Sequence, residues 1–284
     1  MRTQLIYSFL NLPERNEAAN LATPVYTGLG GQVYLETQEE RLEFTLIAAA
    51  FLLGGFVQGS AGFGSGLIGI ALLGLAMPVR DAAVLNVLAS LAINIVMMIR
   101  LKEHVSLRKI APLIPAVMVG VPIGVLILVR APVGVLNVTL ALILVLSSLQ
   151  ALMRDRIKIL RPWHPVYIGI PCGVLSGALT GAYGTGGPPL VAYVLSQGFE
   201  RRRFAAAIQT LFLVSGSFRL FELIRNGVLH AGNVNALFVA AGAATVGAAV
   251  GLQILHRISE RVFRRGVAVF LLVLATRYVL SIVV

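Results

Sequence analysis

The stretch "GALTGAYGTGGPPLV", from Gly177 to Val191, places five glycines and two adjacent prolines in the middle of a strongly apolar chain. A helix within a bilayer needs unbroken backbone hydrogen bonds, because lipid offers no partner to a free N–H or C=O group. Irregular backbone at that depth is tolerated only where protein or a water-filled cavity satisfies it. The stretch therefore predicts a broken helix that lines a site.

The composition indicates an integral membrane protein. Of the 284 residues, 57% are hydrophobic and 12% are charged, and the mean hydropathy is +0.88. From Phe44 onward, apolar runs of spanning length follow one another with short polar breaks, so we expect a single transmembrane domain over 43–284. The net charge of +11 reflects Lys and Arg in the loops between spans, and we therefore predict no nucleic-acid partner.

Residues 1–42 are more acidic and less apolar than the rest, and we predict that they form an N-terminal extramembrane extension. The single cysteine, Cys172, excludes an internal disulfide and a multi-cysteine metal site. The four histidines are scattered at loop positions without the helical spacing of metal ligands. We therefore expect no metal and no cofactor.

The chain contains an internal repeat. The segment "GFVQGSAGFGSGL" at 55–67 matches "GVLSGALTGAYGTGG" at 173–187, which aligns Phe63-Gly64-Ser65-Gly66 with Tyr183-Gly184-Thr185-Gly186. Further on, "GVPIG" at 120–124 matches "GAAVG" at 247–251, and the two glycines of each lie four apart on a helix face. Small residues at this spacing let membrane helices approach closely.

Each half is predicted to hold two short apolar segments around the Gly-rich motif, followed by three full-length spans. Repeat 1 covers about 43–153 and repeat 2 about 165–284. The segments of the first repeat are 44–58, 66–77, 82–100, 109–129 and 133–153. Those of the second are 166–180, 187–197, 204–224, 233–255 and 262–284.

The distribution of Lys and Arg in the loops indicates whether the chain turns back or continues across the membrane at each Gly-rich motif. Phe44 to Met77 as one straight helix would be about 50 Å long, against a hydrocarbon core of about 30 Å, so it must break or fold back. If each motif forms a hairpin, 15 Lys and Arg residues lie on one side of the membrane and three on the other, whereas a single crossing divides them nine to nine. The 15 are Arg100, Lys102, Arg108, Lys109, Arg154, Arg156, Lys158, Arg161, Arg201, Arg202, Arg203, Arg257, Arg261, Arg264 and Arg265, and the three are Arg80, Arg130 and Arg225. Because cytoplasmic loops carry the excess of Lys and Arg, we predict an all-α polytopic membrane protein with two inverted-topology repeats and both termini outside the cytoplasm.

The motif has the chemistry of an anion site. Glycines let a ligand approach the backbone, Thr185 is placed to cap the following helix, and Pro188 and Pro189 suit a first helical turn. A helix N-terminus carries free N–H donors and partial positive charge, which favour an anion. Ser65 and Gly66 offer a counterpart from the other half. The alternative is that these glycines serve helix packing alone.

Polar residues in the following spans extend the candidate site. They are Asn86, Ser90 and Asn94 in one span and Gln209, Thr210, Ser215 and Ser217 in its partner. Their roles stay open between substrate binding and interhelical hydrogen bonds. Arg219 and Glu222 lie three apart inside an apolar span, and we expect them to pair with each other near the outer interface, with Arg219 as an anion ligand as the alternative.

The stretches "GALTGAYGTGGPPLVAYVLSQG" and "GFVQGSAGFGSGLIGIALL", with five segments per half, resemble the TauE/SafE sulfite exporter family, also called the toluene sulfonate uptake permease family. The likeness runs from about residue 44 onward. It implies a secondary transporter in the bacterial inner (plasma) membrane for sulfite, thiosulfate or an organosulfonate. Where the family's first motif commonly continues to a proline, the stretch Leu67 to Leu72 has none.

The resemblance also implies which residues form the substrate site. Carried over by motif, one half is Gly184, Thr185, Gly186, Gly187 and Pro188, and the other is Gly62, Gly64, Ser65 and Gly66. To these we add Tyr183, which flanks the second motif, and Asn86, Gln209 and Arg219 from the spans that follow the motifs.

The sequence thus favours a transporter that moves a small anion across the lipid bilayer by alternating access. The alternatives are an anion channel with the same fold and an accessory membrane subunit that transports nothing. An intramembrane enzyme is disfavoured, because no Ser/His/Asp set, HExxH motif or paired intramembrane carboxylates occur. The coupling ion and the oligomeric state stay open, with the proton as the candidate for coupling.

Overall fold

The computed structural model describes residues 38–105, 110–157, 164–229, 234–254 and 260–283. Within these ranges the chain forms ten α-helices and no strand. Residues 1–37 of the predicted extension lie outside the described part of the chain, and residues 38–42 already belong to the first helix.

The helices follow the predicted pattern of two short and three long segments in each half. In the first half they are α1 (Gln38–Ala61), α2 (Ser65–Leu73), α3 (Val79–Leu101), α4 (Leu113–Arg130) and α5 (Val133–Ile157). In the second half they are α6 (Ile170–Tyr183), α7 (Gly187–Ser196), α8 (Arg201–Arg225), α9 (Val234–Ile254) and α10 (Glu260–Val283). A 3-10 turn, Lys102–His104, follows α3, and a π-helical turn, Pro165–Gly169, precedes α6.

Six of the described helices are long and apolar enough to cross a membrane, namely α1, α3, α4, α5, α8 and α9. The first helix differs from the prediction of a short segment at 44–58, because it extends over 24 residues. Its N-terminal turns carry the charged residues Glu39, Glu40, Arg41 and Glu43, so apolarity alone underestimates its length. The other boundaries agree with the prediction to within a few residues.

The short helices fold back on the helices that precede them. In the first half, Gly69 of α2 lies against the ring of Phe51, and Ser65 lies against Gly54, so α2 runs antiparallel to α1. In the second half, Gly169 at the start of α6 packs on the Tyr193 ring near the end of α7. Each Gly-rich motif is therefore the turn of a helical hairpin.

Each hairpin packs against a long helix from the other half of the chain. A Cβ at Gly247 or Gly251 of α9 would overlap with carbonyl oxygens of α1, and a Cβ at Gly120 or Gly124 of α4 would overlap with those of α6. The neighbours that these glycines meet advance in the same direction along both helices, so each pair is parallel. The prediction that both glycine pairs allow close helix packing is confirmed.

The central helices α3 and α8 contact each other and complete the core around the two hairpin turns. The helix α3 also packs on α9, and α8 packs on α4, so that each joins the two halves. At the side of this core α5 packs on α10, and the Ser148 hydroxyl donates to the Ala268 carbonyl at 2.7 Å.

Candidate functional site

The two hairpin turns contain glycines in the left-handed backbone region. Gly64 has φ +112° and Gly184 has φ +67°, and these are the two positions that the repeat alignment matches. Gly62, also in the first turn, has φ +87°. Residues with a side chain rarely adopt such angles, which explains why both motifs need glycine there. We call residues 62–64 the first break and residues 184–186 the second break.

The helices α2 and α7 both begin at a small cavity between the breaks, which we call the inner cavity. Its volume is about 30 Å³, which is room for a water or two. Its lining includes Gly64, Ser65 and Gly66 from the first motif and Gly184, Thr185 and Gly187 from the second. The first-turn N–H groups of a helix have no intrahelical acceptor, so two helix N-termini contribute partial positive charge here.

Arg219 of α8 also lines the inner cavity and is 1% exposed. Its Nε donates to the Gly181 carbonyl at 3.0 Å, and one terminal nitrogen, Nη2, donates to the Ala83 carbonyl at 2.9 Å. The other terminal nitrogen, Nη1, is buried without a hydrogen-bond partner. Backbone carbonyls therefore hold the guanidinium, and its Nη1 nitrogen stays free to donate.

The expected ion pair between Arg219 and Glu222 is wrong. The Glu222 carboxylate instead accepts from Arg225 at 3.2 Å, at the exposed end of the same helix. Both arginines lie three residues from Glu222, so the spacing alone does not choose between them. Of the residues that line the inner cavity in the described part of the chain, none is an Asp or Glu, so the buried charge has no carboxylate facing it.

Two buried hydroxyls beside Arg219 are also without partners. Thr185, 6% exposed, and Thr180, 5% exposed, both line the inner cavity, and neither Oγ1 makes a hydrogen bond. The prediction that Thr185 caps α7 is wrong, since the cap residue is Gly186 and no side chain caps this helix. The prolines of the motif do occupy the first turn of α7, as expected. The cavity thus collects three unpaired donor groups, Arg219 Nη1 and the two hydroxyls.

A family model described as sulfite exporter TauE/SafE matches residues 46–278 of the chain. The chain belongs to this family. Membership implies a membrane exporter of sulfite or a related anion, and family members are transporters rather than enzymes. No curated protein and no solved structure is significantly similar to the chain.

In this TauE/SafE protein, the side chains of Asn86 and Gln209 hydrogen-bond to the backbone at the two breaks. The Asn86 amide on α3 donates to the carbonyls of Tyr183 and Gly184 at 3.2 and 3.3 Å. The Gln209 amide on α8 donates to the Gly62 carbonyl at 2.9 Å. Each amide comes from the half of the chain opposite to the break that it holds. Of the two roles left open for these residues, interhelical hydrogen bonding is the one the geometry supports.

The remaining predicted site residues lie around the inner cavity rather than in its lining. The Tyr183 hydroxyl donates to the Leu136 carbonyl at 3.0 Å. The Gly186 carbonyl accepts from the Ser176 hydroxyl, and the Pro188 carbonyl accepts from Gln150 at 2.6 Å. These three residues therefore position the second break.

Sequence reasoning missed Thr180 and Gln150. Thr180 carries a signal, because it is a polar residue inside the quoted motif, five positions before Thr185. No sequence pattern points to Gln150, since only the fold brings α5 against the start of α7. Ser90 and Asn94 do line the inner cavity, and Asn94 accepts from the Gln58 amide at 2.9 Å.

A larger cavity of about 420 Å³, which we call the vestibule, adjoins the inner cavity. Its walls are mostly apolar, with Val57, Leu195 and Leu271 among them, and Arg100 and Arg202 also line it. Gly62 lies in this lining and not in that of the inner cavity. The residues common to both cavities are Phe63, Gly64 and Leu67. No carboxylate occurs among the described residues that line the vestibule.

Proposed function

We propose that this protein is a secondary transporter for a small sulfur oxyanion, with sulfite as the first candidate, and that the inner cavity is its binding site. The proposal rests on the environment of Arg219. This cation is fully buried, its Nη1 donor is free, and no carboxylate faces it among the described lining residues. Burying an unpaired charge is costly, and in membrane proteins such residues mark ion or substrate sites. A bound anion supplies the missing counter-charge.

The arrangement of donors suits an oxyanion with several acceptor atoms. The Arg219 Nη1 group and the hydroxyls of Thr180 and Thr185 are each free to donate. The N-termini of α2 and α7 add partial positive charge from two further directions, and in the first turn of α7 Gly187 supplies an N–H group, since Pro188 and Pro189 have none. Sulfite has three oxygens that accept hydrogen bonds, so it satisfies donors from different helices at once. We include thiosulfate and small organosulfonates in the substrate class, since they present the same oxygens.

We further propose that the halves are inverted-topology repeats with both termini outside the cytoplasm of a bacterial inner membrane. The antiparallel hairpins α1–α2 and α6–α7 support this, because a hairpin gives each half an odd number of crossings. Another support is Tyr278, near the end of α10, whose hydroxyl donates to the Ala71 carbonyl near the end of α2 at 3.0 Å. That contact places the ends of α2 and α10 together, as the inverted arrangement requires.

The relation of the two cavities supports a mechanism of alternating access. The vestibule is lined by Arg100 at the end of α3 and Arg202 at the start of α8, both on the side where the loops are basic. We propose that this side is cytoplasmic and that the vestibule opens to the cytoplasm. Broken helices that meet at the bilayer midplane are a common architecture of secondary transporters.

The experiment is uptake of radiolabelled sulfite into proteoliposomes that contain the purified protein, with and without an imposed pH gradient. We expect saturable uptake that thiosulfate inhibits and that unlabelled sulfite inside the liposomes accelerates by counterflow. Stimulation by the pH gradient would identify the proton as the coupling ion. Sulfate and sulfoacetate as further competitors rank the substrates.

Two results would contradict the proposal. Uptake that rises linearly with sulfite and shows no counterflow would indicate an anion channel instead. Absence of uptake of sulfite, thiosulfate and organosulfonates by a folded preparation would indicate an accessory subunit. A thermal-stability measurement on the same preparation provides the control for folding.

A further inference from the structure

Phe63 lies between the vestibule and the inner cavity. Its side chain lines both cavities, and its Cδ2 is 3.5 Å from where a Cβ of Gly187, at the start of α7, would be. The ring therefore reaches from the first break onto the first turn of α7. The other two residues that line both cavities are Gly64, which has no side chain, and Leu67 on the first turn of α2.

The two breaks differ in how tightly their glycines are packed. In the first, nothing lies within 4 Å of where a Cβ at Gly62 would be, and at Gly64 the nearest atom is Val57 Cγ1 at 3.6 Å. In the second, a Cβ at Gly184 would collide with the Asn86 amide, and one at Gly186 would collide with the Thr180 hydroxyl. The glycines of the first break therefore have free space beside them, and those of the second do not.

Phe63 and Tyr183, which the repeat alignment matches, also differ in how firmly they are held. Tyr183 is 2% exposed, and its hydroxyl bonds to the Leu136 carbonyl and to Thr139. Phe63 has no hydroxyl, is only partly buried, and stands between Gly62 and Gly64, both at positive φ. Glycine moves between positive and negative φ with little steric cost, so rotation beside Phe63 meets no side-chain barrier at either glycine, although it requires the Gly62 carbonyl to leave the Gln209 amide.

We propose that Phe63 is the gate between the vestibule and the anion site, and that Gly62 and Gly64 are the hinge about which it swings. The second break stays fixed and carries the anion together with Arg219. In the observed conformation the ring closes the inner cavity while the vestibule is open. The role of the gate in transport rests on the proposed function, but its effect on access to the inner cavity does not.

The test measures how fast a reagent reaches the inner cavity. In a Cys172→Ser background, Ser65→Cys places a thiol in the lining of the inner cavity only. The full-length protein, in lipid nanodiscs and sulfite-free buffer, is labelled with the anionic reagent sulfonatoethyl methanethiosulfonate, and the rate is followed by mass spectrometry. A gate that is closed for about 90% of the time limits access about tenfold, so we expect Phe63→Ala to raise the labelling rate by about that factor.

Two further variants make the result interpretable. Phe63→Leu keeps an apolar side chain at the break and is expected to raise the rate by a smaller factor, should the alanine variant not fold. Phe238→Ala removes an identical ring from a position on α9 that is 66% exposed and lines neither cavity. It is expected to label at the parent rate.

Labelling rates within about twofold of the parent in both Phe63 variants would overturn the gate, since this is less than the tenfold effect expected of a closed gate. Faster labelling of Phe63→Ala, together with no sulfite uptake by the protein with native Phe63 and Ser65, supports the gate and contradicts the proposed function. Unchanged labelling together with normal sulfite uptake by that native protein contradicts the gate and leaves the proposed function standing.

Discussion

At the scale of single residues, Arg219 distinguishes an anion site from a structural cation. Backbone carbonyls hold Nε and Nη2, while Nη1 is free beside the inner cavity. A purely structural arginine in so buried a place would be expected to use all its donors, because each unsatisfied buried donor costs free energy. The free donor is therefore the atom on which the site depends.

Substitution of Arg219 by glutamine should abolish most anion binding. Removal of one partner of a buried, hydrogen-bonded charge pair costs about 2 to 5 kcal/mol, which weakens sulfite binding by roughly 30-fold to several thousandfold. Isothermal titration of sulfite into the purified protein provides the measurement. The matched control is Arg225→Gln on the same helix, whose side chain is 63% exposed and pairs with Glu222. Wild-type affinity in a folded Arg219→Gln protein would show that the anion binds elsewhere.

Replacement of Thr185 by valine should separate binding from folding. The hydroxyl caps no helix and makes no hydrogen bond, so valine, of similar shape, removes an unsatisfied buried group. We expect unchanged or slightly higher thermal stability, while the loss of a hydrogen bond to a charged ligand raises the Kd for sulfite about 10- to 150-fold. Thermal melts and sulfite titrations of the same samples measure both. Lower stability with unchanged affinity would assign the hydroxyl a structural role instead.

At the scale of elements, glycine determines how closely the two halves approach. Gly124 on α4 faces the backbone of α6, where any Cβ would overlap with the Ala178 carbonyl oxygen. Gly242 on α9 has nothing within 4 Å of the Cβ position. The same residue type therefore serves interhelical packing at one position and makes no contact at the other.

This contrast predicts opposite effects of two alanine substitutions. Gly124→Ala should lower the free energy of unfolding by about 1 to 3 kcal/mol, because a backbone carbonyl cannot move away as a flexible side chain does. Gly242→Ala should leave it unchanged or raise it by up to about 1 kcal/mol through better helix propensity. Thermal unfolding in one detergent provides the comparison. Equal effects of the two variants would argue against close packing of α4 on α6.

At the scale of the whole molecule, the proposed inverted topology predicts the side of two loops. In a Cys172→Ser background, Glu103→Cys after α3 and Glu200→Cys before α8 place thiols at exposed positions. With inverted repeats both lie on the cytoplasmic side, whereas parallel repeats put them on opposite sides. Labelling with an impermeant maleimide in intact cells and in inverted vesicles tells the two apart. Reaction of the two cysteines from opposite sides would exclude the inverted arrangement.

Most of the elements were predictable because their signals are local. Long apolar runs identify the spans, and the glycines and prolines of the two motifs identify the breaks, since each acts on its own backbone. The repeat also matched Gly64 with Gly184, which share a left-handed conformation. The extent of α1 was not predictable from apolarity, because its first turns are charged.

The sequence by itself determined a helical membrane protein with two Gly-rich breaks, its TauE/SafE resemblance and the presence of an arginine inside an apolar span. Only the tertiary structure decided what that arginine faces. Glu222 lies three residues from both Arg219 and Arg225, so spacing allows either pair, and the carboxylate bonds to Arg225 because that side chain reaches the exposed helix end. The neighbours of Arg219 are the carbonyls of Ala83 and Gly181, which are distant in sequence. Contacts between distant residues depend on how whole helices pack, and the local pattern of residues does not encode that packing.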